Sequence, residues 1–239
     1  MQYLLCRKRN CTTGRTVIRN GVIPLDYKVL IAITSCHKHR PWQQAQRDTW
    51  LKDVEGMDYR FFLGRPIADA APDEVFLDVA DGYNDLLYKT QGLLRWALER
   101  DYDYLYKTDV DTLVIPSRLI HSGFEQHDYT GSINHAGKPY GILDFASGGS
   151  GYWLSRKVME WVVNAKSYTG SAEDVFVAEV CREHGVLLHS DLRYKYHPGL
   201  TFDKDTISFH ISSTNGWPGD AGTLPYDPEQ MYEYYERSK

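Results

Sequence analysis

The sequence predicts a three-layer α/β domain built around a mostly parallel central β-sheet. Short strand-like segments alternate along the chain with segments that have the 3.6-residue period of amphipathic helices. The most regular helical pattern covers residues 84–100, and strand-like segments precede and follow it. Such alternation is typical of a parallel sheet with helices on both faces. We therefore expect a Rossmann-like fold.

The length and composition of the chain favour one globular domain. The chain has 239 residues, of which 42% are hydrophobic and 25% are charged, and this apolar content suffices for a sizeable core. Its net charge of −5 argues against nucleic acid as a partner, because non-specific binding to nucleic acid needs a positive surface. The longest purely apolar run, residues 29–33, is far shorter than the about 18 residues of a transmembrane helix. We expect no transmembrane segment.

The start of the chain differs in charge from the rest. We expect residues 1–25 to form a basic N-terminal arm and residues 26–239 to form a single domain. Such an arm can lie on an anionic membrane surface, although a poorly ordered terminus is the simpler expectation. Because the four cysteines show no CxxC pair, we expect a cytoplasmic protein, with peripheral membrane contact at most. The basic residues of the arm are Arg7, Lys8, Arg9, Arg15 and Arg19.

The first half of the domain begins with a buried strand. Residues 28–34 are a continuous apolar run of the kind found in the middle of a parallel sheet. A helix is expected next, over residues 41–52, because Pro41 suits a first helical turn and Trp42 and Trp50 fall on one face. Further strands are expected at residues 60–63, 102–107 and 112–115.

The remaining elements carry recognisable ends. Asn84 is expected to cap the helix over residues 84–100. Ser171 is expected to open a helix that runs to His184 and stops at Gly185. The other expected elements are strands at residues 152–155, 186–189 and 206–211 and a helix at residues 157–165.

A pair of acidic residues follows the strand predicted at residues 102–107. Asp109 and Asp111 alternate along an extended segment, so both carboxylates can face one ion. Carboxylate oxygens suit hard cations such as Mn²⁺ and Mg²⁺. Asp101 and Asp103 have the same spacing, but they fall at a helix-to-strand corner where solvated acidic residues are common. Because ligands of open α/β sheets bind at the carboxyl ends of strands, we expect the metal at Asp109 and Asp111.

Two histidines compete for the role of a nitrogen ligand to this ion. His210 lies on the strand face opposite Phe209 and Ile211, so its ring avoids the core. His197, before Pro198, is the alternative. A neutral imidazole can complete an oxygen-rich site, although an unliganded, half-buried histidine is the commoner outcome.

Two acidic residues occupy the first turn of the helix that Ser171 is expected to open. Glu173 and Asp174 match an ordinary helix N-terminus, in which a serine cap precedes acidic side chains. The functional alternative is that one carboxylate projects into the cleft and removes a proton from an incoming nucleophile.

A glycine-rich segment and three cationic side chains complete the candidates. Residues 148–151 contain three glycines, which let the backbone approach a ligand, and they match neither the P-loop nor the GxGxxG pattern. A tight turn without a ligand is the simpler interpretation. Lys89, Arg40 and Arg47 can contact an anionic ligand, although charged helix residues are usually only solvated.

Short motifs follow one another along the chain in a recognisable order. They are QRDTW at 46–50, DGYNDLLYKT at 81–90, YKTDVD at 106–111, SGGSGYWLS at 147–155, EDV at 173–175, DLR at 191–193, HP at 197–198, SFH at 208–210 and MY at 231–232. Together they resemble glycosyltransferase family 31, the group of β-1,3-galactosyltransferases, Fringe proteins and core 1 synthases. The resemblance covers roughly residues 28–235, and the later motifs are most similar to the core 1 branch.

This resemblance implies an activity and its cofactors. It implies a GT-A fold and an inverting transferase that moves a hexose, galactose or N-acetylhexosamine, from a UDP-sugar to an acceptor hydroxyl. The acceptor would be a carbohydrate or glycoconjugate, the linkage β-1,3 and the metal Mn²⁺, with Mg²⁺ as the alternative. Golgi relatives carry a membrane anchor and paired cysteines; this chain shows neither, so we do not expect a Golgi address.

The resemblance also implies roles for individual residues. Asp109 and Asp111 match the first and last acidic residues of the family's metal motif, while Val110 stands at a middle position that is acidic in many relatives. Asp174 matches the proposed general base, and His210 matches the histidine ligand better than His197 does. The expected contacts of the nucleotide-sugar are Thr34, Arg40, Arg47, Asp81, Lys89, Asp109 and Gly149, although Arg47 can instead serve only to brace the fold.

Two other classes of enzyme and one class of binding protein were compared with these motifs. A glycoside hydrolase needs two carboxylates that flank one sugar bond, and a phosphoryl transferase needs a nucleotide cradle. A non-catalytic sugar- or nucleotide-sugar-binding protein on the same scaffold remains the alternative, because one fold serves many functions. Metal-dependent release of UDP from UDP-sugars distinguishes an enzyme from such a binding protein.

Overall fold

The computed structural model describes residues 27–66, 70–136, 143–166, 172–196, 201–211 and 227–239. Its strands are β1 (Val29–Thr34), β2 (Asp58–Leu63), β3 (Glu74–Phe76), β4 (Tyr104–Asp109), β5 (Thr112–Val114), β6 (Tyr129–Gly131), β7 (Ile133–Ala136), β8 (Leu143–Ala146), β9 (Tyr152–Ser155), β10 (His189–Ser190), β11 (Tyr194–Lys195) and β12 (Ser208–His210). Its α-helices are α1 (Arg40–Asp48), α2 (Leu86–Leu98), α3 (Pro116–Ile120), α4 (Arg156–Asn164), α5 (Glu173–Glu183) and α6 (Glu229–Arg237). The expected arm over residues 1–25, the expected helix start Ser171 and the alternative ligand His197 lie outside the described residues.

The central sheet has seven strands in the order β10-β6-β9-β4-β1-β2-β3. Strand β1 pairs in parallel with β2 and β4, and the pairs β2–β3 and β6–β10 are also parallel. Only β9 runs antiparallel to its neighbours β4 and β6 among the described strands of this sheet. The mostly parallel sheet predicted from the alternation of strands and helices is confirmed. Two small sheets, β11-β12-β5 and β7-β8, lie beside it.

Helices cover both faces of this sheet. Strand β1 is buried along its whole length, and its side chains alternate between two hydrophobic cores. Val29, Ile31 and Ile33 pack with residues of α1, α3 and α6, whereas Leu30 and Ala32 pack with residues of α2, α4 and α5. Because successive side chains of a strand point to opposite faces, one apolar segment contributes to both cores. In the described part of the chain, no helix combines the length and apolar character needed to cross a membrane.

Some elements differ from those predicted. The helix expected over residues 41–52 is α1 followed by a 3₁₀ turn, because Thr49 leaves the helical region with φ −117° and ψ −113°. Asn84 does not cap α2: it lies in a 3₁₀ turn, and the N-cap is Asp85, whose side chain makes no capping hydrogen bond. The strand expected at residues 186–189 is the two-residue β10. Short strands such as β3 and β6 show no sequence period, so periodicity does not predict them.

The carboxyl ends of β1 and β4 meet at one edge of the sheet. Thr34 is the register partner of Asp109, and the Val110 N–H donates to the Thr34 carbonyl at 3.1 Å. Strand β5 pairs with β12, which places His210 opposite Thr112. This is the edge at which ligands of open α/β sheets bind.

Candidate active site

The acidic candidates Asp109 and Asp111 lie at and just after the end of β4. Asp109 is the last residue of the strand, and its carboxylate accepts a hydrogen bond from the Lys107 ammonium at 2.9 Å. Val110, between the two acidic residues, is 2% exposed and belongs to the hydrophobic core. A carboxylate at this middle position would therefore be buried among apolar side chains, which explains the valine. Burial, with the neighbouring Asp111 and Glu173 charges, raises the pKa of Asp109 although Lys107 opposes the shift.

His210 reaches the acidic pair through the ladder between β5 and β12. Its Nε2 lies 3.3 Å from a carboxylate oxygen of Asp111. Burial would lower the pKa of His210, but the Asp111 carboxylate outweighs it, and the net shift is upward. Gly149 packs against the imidazole so closely that a Cβ at this position would lie 2.5 Å from Nδ1 of His210. The Thr112 hydroxyl holds the Gly149 carbonyl at 2.6 Å, so the structure brings Asp111, His210 and Gly149 together.

The side chains of this group are of the types that bind a hard divalent cation. Asp109, Asp111 and His210 offer two carboxylates and one imidazole, which are ligands that Mn²⁺ accepts. In this structure Asp111 contacts His210 and Asp109 contacts Lys107. Across the described ranges, no three Asp, Glu, His or Cys side chains converge as metal ligands do. The residue types fit the ion, and ion binding at them stays a prediction.

Asp81 and Lys89 tie together the loops at the ends of β1 and β2. The buried Lys89 ammonium donates to the Ser35 carbonyl at 2.7 Å and to the Asp81 carboxylate at 2.6 Å. The Asp81 carboxylate also accepts from the backbone N–H groups of His37 at 2.7 Å and Gly64 at 2.8 Å. Burial opposes these bonds, but together they lower the pKa of Asp81. Both residues line the edge where the nucleotide is expected, and their direct contact with it stays a prediction.

The two arginines of α1 are engaged by acidic residues near β3. Arg47 donates two hydrogen bonds of 2.8 Å to the Asp73 carboxylate. Arg40 donates to Glu74 at 3.2 Å. These pairs connect α1 to the edge strand of the sheet, which favours the bracing role considered for Arg47. Thr34, at the end of β1, is 5% exposed.

Asp174 lies on the other side of the glycine-rich turn. Its carboxylate accepts from the Gly148 N–H at 3.0 Å and from the Val175 N–H at 2.9 Å. The N-cap of α5 is Ala172, so Asp174 is a residue inside the first turn rather than the cap. Burial, and then the Glu173 charge, raise the pKa of Asp174 to about 7. A carboxyl group with such a pKa can exchange a proton near neutral pH.

The glycine-rich turn connects the two groups of candidates. Gly148 donates to Asp174, and the next residue, Gly149, packs against His210. A Cβ on Gly148 would collide with Glu173 and lie 3.0 Å from the Lys107 ammonium. Both glycines are therefore required by close contacts, and the turn is not an ordinary surface loop.

The sequence predicted neither a role for Lys107 nor the hydrogen bonds of Glu173. Lys107 is 1% exposed, and its ammonium donates to Glu173 at 2.6 Å as well as to Asp109. Glu173 also accepts a hydrogen bond from the Tyr152 hydroxyl at 2.7 Å. The available signal was the lysine itself, since a charged residue inside a buried strand needs partners. Two of its partners, Glu173 on α5 and the Gly148 carbonyl in the turn before β9, are distant in sequence, and periodicity does not bring them together.

Two further side chains stand close to these charges. Tyr83 is 71% exposed, and partial burial of its phenol, with the charges of Asp174 and Asp109, raises its pKa. His39 lies in the 3₁₀ turn after β1. Its hydrogen bond to Cys36 and the more distant charges of Asp111 and Asp109 raise its pKa although burial opposes the shift. The acidic site thus has an aromatic and an imidazole neighbour to which the sequence assigned no role.

Comparisons with known proteins bear on the fold. No protein-family model matches the chain, and the comparison with curated proteins gives no match. Among solved structures, the chain is similar to the apo-form glycosyltransferase GlyE of Streptococcus pneumoniae TIGR4, with 10% identity, a TM-score of 0.51 and 88% of this chain covered. The chain has the GT-A glycosyltransferase fold. It spans 60% of the length of GlyE.

The galactosyltransferase LgtC is also similar. In the complex of LgtC with donor and acceptor sugar analogues, the identity is 14% and the TM-score 0.47, with 87% of this chain and 95% of LgtC covered. In an active-site mutant of LgtC, the identity is 12% and the TM-score 0.49, with the same coverage. The similarity to GlyE and the seven-stranded, mostly parallel sheet confirm the GT-A prediction for the fold, while the roles of individual residues stay predictions.

Proposed function

We propose that this protein is an inverting, metal-dependent glycosyltransferase that resembles glycosyltransferase family 31. It would transfer galactose or N-acetylhexosamine from a UDP-sugar to an acceptor hydroxyl of a carbohydrate and form a β-1,3 linkage. One observation carries the proposal. The Gly148–Gly149 turn contacts Asp174 through Gly148 and the His210–Asp111 pair through Gly149. An inverting displacement needs a base and a leaving-group site across one sugar, and these two groups would supply them.

The donor side of the site would be formed by residues at the strand ends. Asp109, Asp111 and His210 would hold Mn²⁺ or Mg²⁺, which when bound neutralises negative charge on the departing diphosphate. Thr34 would line the nucleotide pocket, and the Asp81–Lys89 pair would shape this pocket because it fixes the loop after β1.

The acceptor side would be served by Asp174. Displacement with inversion requires the acceptor hydroxyl to approach opposite the leaving group and to lose its proton as the new bond forms. Two backbone N–H groups orient the Asp174 carboxylate, and its pKa of about 7 makes it a stronger base than an ordinary aspartate. General-base assistance of this kind contributes about 10²–10⁴-fold to a rate.

Release of UDP from a panel of UDP-sugars tests the proposal. The wild-type chain is incubated with UDP-galactose, UDP-N-acetylglucosamine, UDP-N-acetylgalactosamine and UDP-glucose, with Mn²⁺ or with EDTA. We expect UDP release from one or more galactose or N-acetylhexosamine donors, only with the metal, and faster with a carbohydrate acceptor. UDP-sugar binding in calorimetry without any release would contradict the enzyme and favour a binding protein; equal release in EDTA would contradict the metal.

A further inference from the structure

A buried lysine lies between the two sides of the proposed site. Lys107 of β4 is 1% exposed, and its ammonium has three donors. They reach the Asp109 carboxylate at 2.9 Å, the Glu173 carboxylate at 2.6 Å and the Gly148 carbonyl at 3.3 Å. Three donors and three acceptors leave this ammonium a single orientation.

Glu173 extends these contacts to two other elements. Its second carboxylate oxygen accepts from the Tyr152 hydroxyl of β9 at 2.7 Å and from the Thr90 hydroxyl of α2 at 3.4 Å. Glu173 is itself 6% exposed. The group therefore joins β4, β9, α2 and α5 through hydrogen bonds that are shielded from water.

The need for a stable core does not explain such a group. Apolar residues of similar volume are often as stabilising as a buried ion pair, because desolvation of the charges is costly. Lys107 also binds two neighbours of Asp174. One is Glu173, which precedes Asp174 on α5. The other is Gly148, whose carbonyl accepts from Lys107 and whose N–H donates to Asp174.

We infer that Lys107 is a positioning residue, which holds the donor-side carboxylate Asp109 and the base Asp174 in one fixed relative geometry. This inference rests on the proposed function, because it concerns the two groups that would act on opposite sides of the transferred sugar. Lys107 acts on Asp174 through Glu173 and Gly148 and touches no substrate.

The charges around Asp174 supply a signed readout. Glu173 raises the pKa of Asp174, and Lys107 lowers it. Within the described residues, the other titratable groups that face Asp174 are the phenols of Tyr83, Tyr129 and Tyr152. Burial raises the pKa of each phenol, so they stay neutral near pH 7. Removing the Glu173 charge should therefore lower the pKa of Asp174, and removing the Lys107 charge should raise it.

Three variants test the inference: Glu173→Gln, which keeps the shape of the side chain, Lys107→Met, and Lys157→Met as a control. Lys157 forms an exposed ion pair with Asp128 at 2.6 Å, and neither residue belongs to the proposed site. The measurements are kcat, KM for the UDP-sugar, the pH profile of kcat and the melting temperature. We expect kcat to fall by about 10²-fold in Lys107→Met, as misplaced reacting groups cause, with a smaller change in KM.

The pH profiles decide between positioning and mere stability. The acidic limb should move to lower pH in Glu173→Gln and to higher pH in Lys107→Met, and it should not move in Lys157→Met. If Lys107→Met does not fold, the shift of the acidic limb in Glu173→Gln still tests the inference. Wild-type profiles in both site variants, with only a lower melting temperature, would overturn the inference.

A second measurement separates this inference from the proposed function. NMR titration of ¹³C-labelled aspartate carboxyls follows the ionisation of Asp174 without any sugar. If the wild-type chain releases no UDP but the titration of Asp174 shifts in opposite directions in the two variants, only the proposed function fails. If UDP is released and the Asp174 titration is the same in all variants, only the inference fails.

Discussion

Two buried lysines, Lys89 and Lys107, make similar bonds in different electrostatic settings. Lys89 faces one carboxylate, Asp81, and this carboxylate also accepts two backbone N–H groups. Burial would raise the pKa of Asp81, but the bond from Lys89 and these N–H groups lower it. Lys107 instead faces Asp109 and Glu173, beside which Asp174 adds a third acidic group. Burial raises the pKa of Asp109 and of Asp174.

This difference in electrostatic setting distinguishes a lysine that supports the fold from a lysine beside the proposed reactive groups. A carboxylate that is already neutralised and fully hydrogen-bonded needs no further ligand, so the Asp81–Lys89 pair serves to shape the edge of the sheet. Acidic groups that outnumber the nearby ammonium remain able to bind a cation or a proton. We therefore expect ligand and proton chemistry in the surroundings of Lys107 and a framework role for Lys89.

The largest effect on UDP binding is expected at Asp111. Asp111→Asn removes a carboxylate from the proposed metal site, and Mn²⁺-dependent UDP affinity should fall by more than about 100-fold, the upper range for the loss of a residue that only supports a metal ligand. Calorimetry of UDP binding with and without Mn²⁺ measures this loss of affinity. Asp101→Asn is the matched control, because this side chain is 90% exposed, and it should bind UDP normally. Normal binding by Asp111→Asn would remove this residue from the site.

A smaller effect, on stability rather than on binding, is expected at Lys89. Lys89→Met leaves the Asp81 carboxylate without its ammonium partner, and the free energy of unfolding should fall by about 3 kcal/mol, the lower end for a broken buried pair. Denaturant unfolding measures the loss. A variant that keeps its stability but loses UDP affinity would make Lys89 a nucleotide contact and would break the comparison.

The smallest effect is expected at Arg47. Its pair with Asp73 is partly exposed, with 23% and 17% of the side chains accessible, so Arg47→Met should cost about 1 kcal/mol. UDP affinity should not change if the pair only braces α1 against the region of β3. Parallel unfolding and calorimetric experiments test this, and weaker UDP binding with unchanged stability would restore Arg47 as a ligand contact.

The fold could be predicted from the sequence because its central elements have strong periods. The continuous apolar run of β1 suffices to locate a strand that is buried on both faces, and the amphipathic pattern of α2 suffices to locate a helix and its buried face. Asp109 and Asp111 could be selected because they follow a strand, where ligands of parallel sheets bind. The two-residue β10 and the 3₁₀ turn around Asn84 have no comparable signal, and the cap expected at Asn84 is wrong.

Part of the site depends on strand order, which the sequence does not reveal. Lys107 is buried because β4 lies between β1 and β9, and the pair of Glu173 with Lys107 spans 66 positions of the chain. The partner of Arg47 stands just before β3, a three-residue strand. Residue type and spacing could identify Glu173 and Asp174 as candidates, and the family resemblance selected Asp174. Only the fold shows that the Asp174 carboxylate accepts from the Gly148 N–H and that Asp174 is not the cap of α5.

The most direct test of the central claim is sugar transfer by Asp174→Asn. The wild-type rate should rise with pH through about 7, because the base must be deprotonated and the pKa of Asp174 is raised to about 7. In Asp174→Asn, transfer should fall by about 10²–10⁴-fold, while UDP affinity and folding stay near normal. If transfer persists at the wild-type rate and only the melting temperature drops, Asp174 is a structural residue and the account is contradicted.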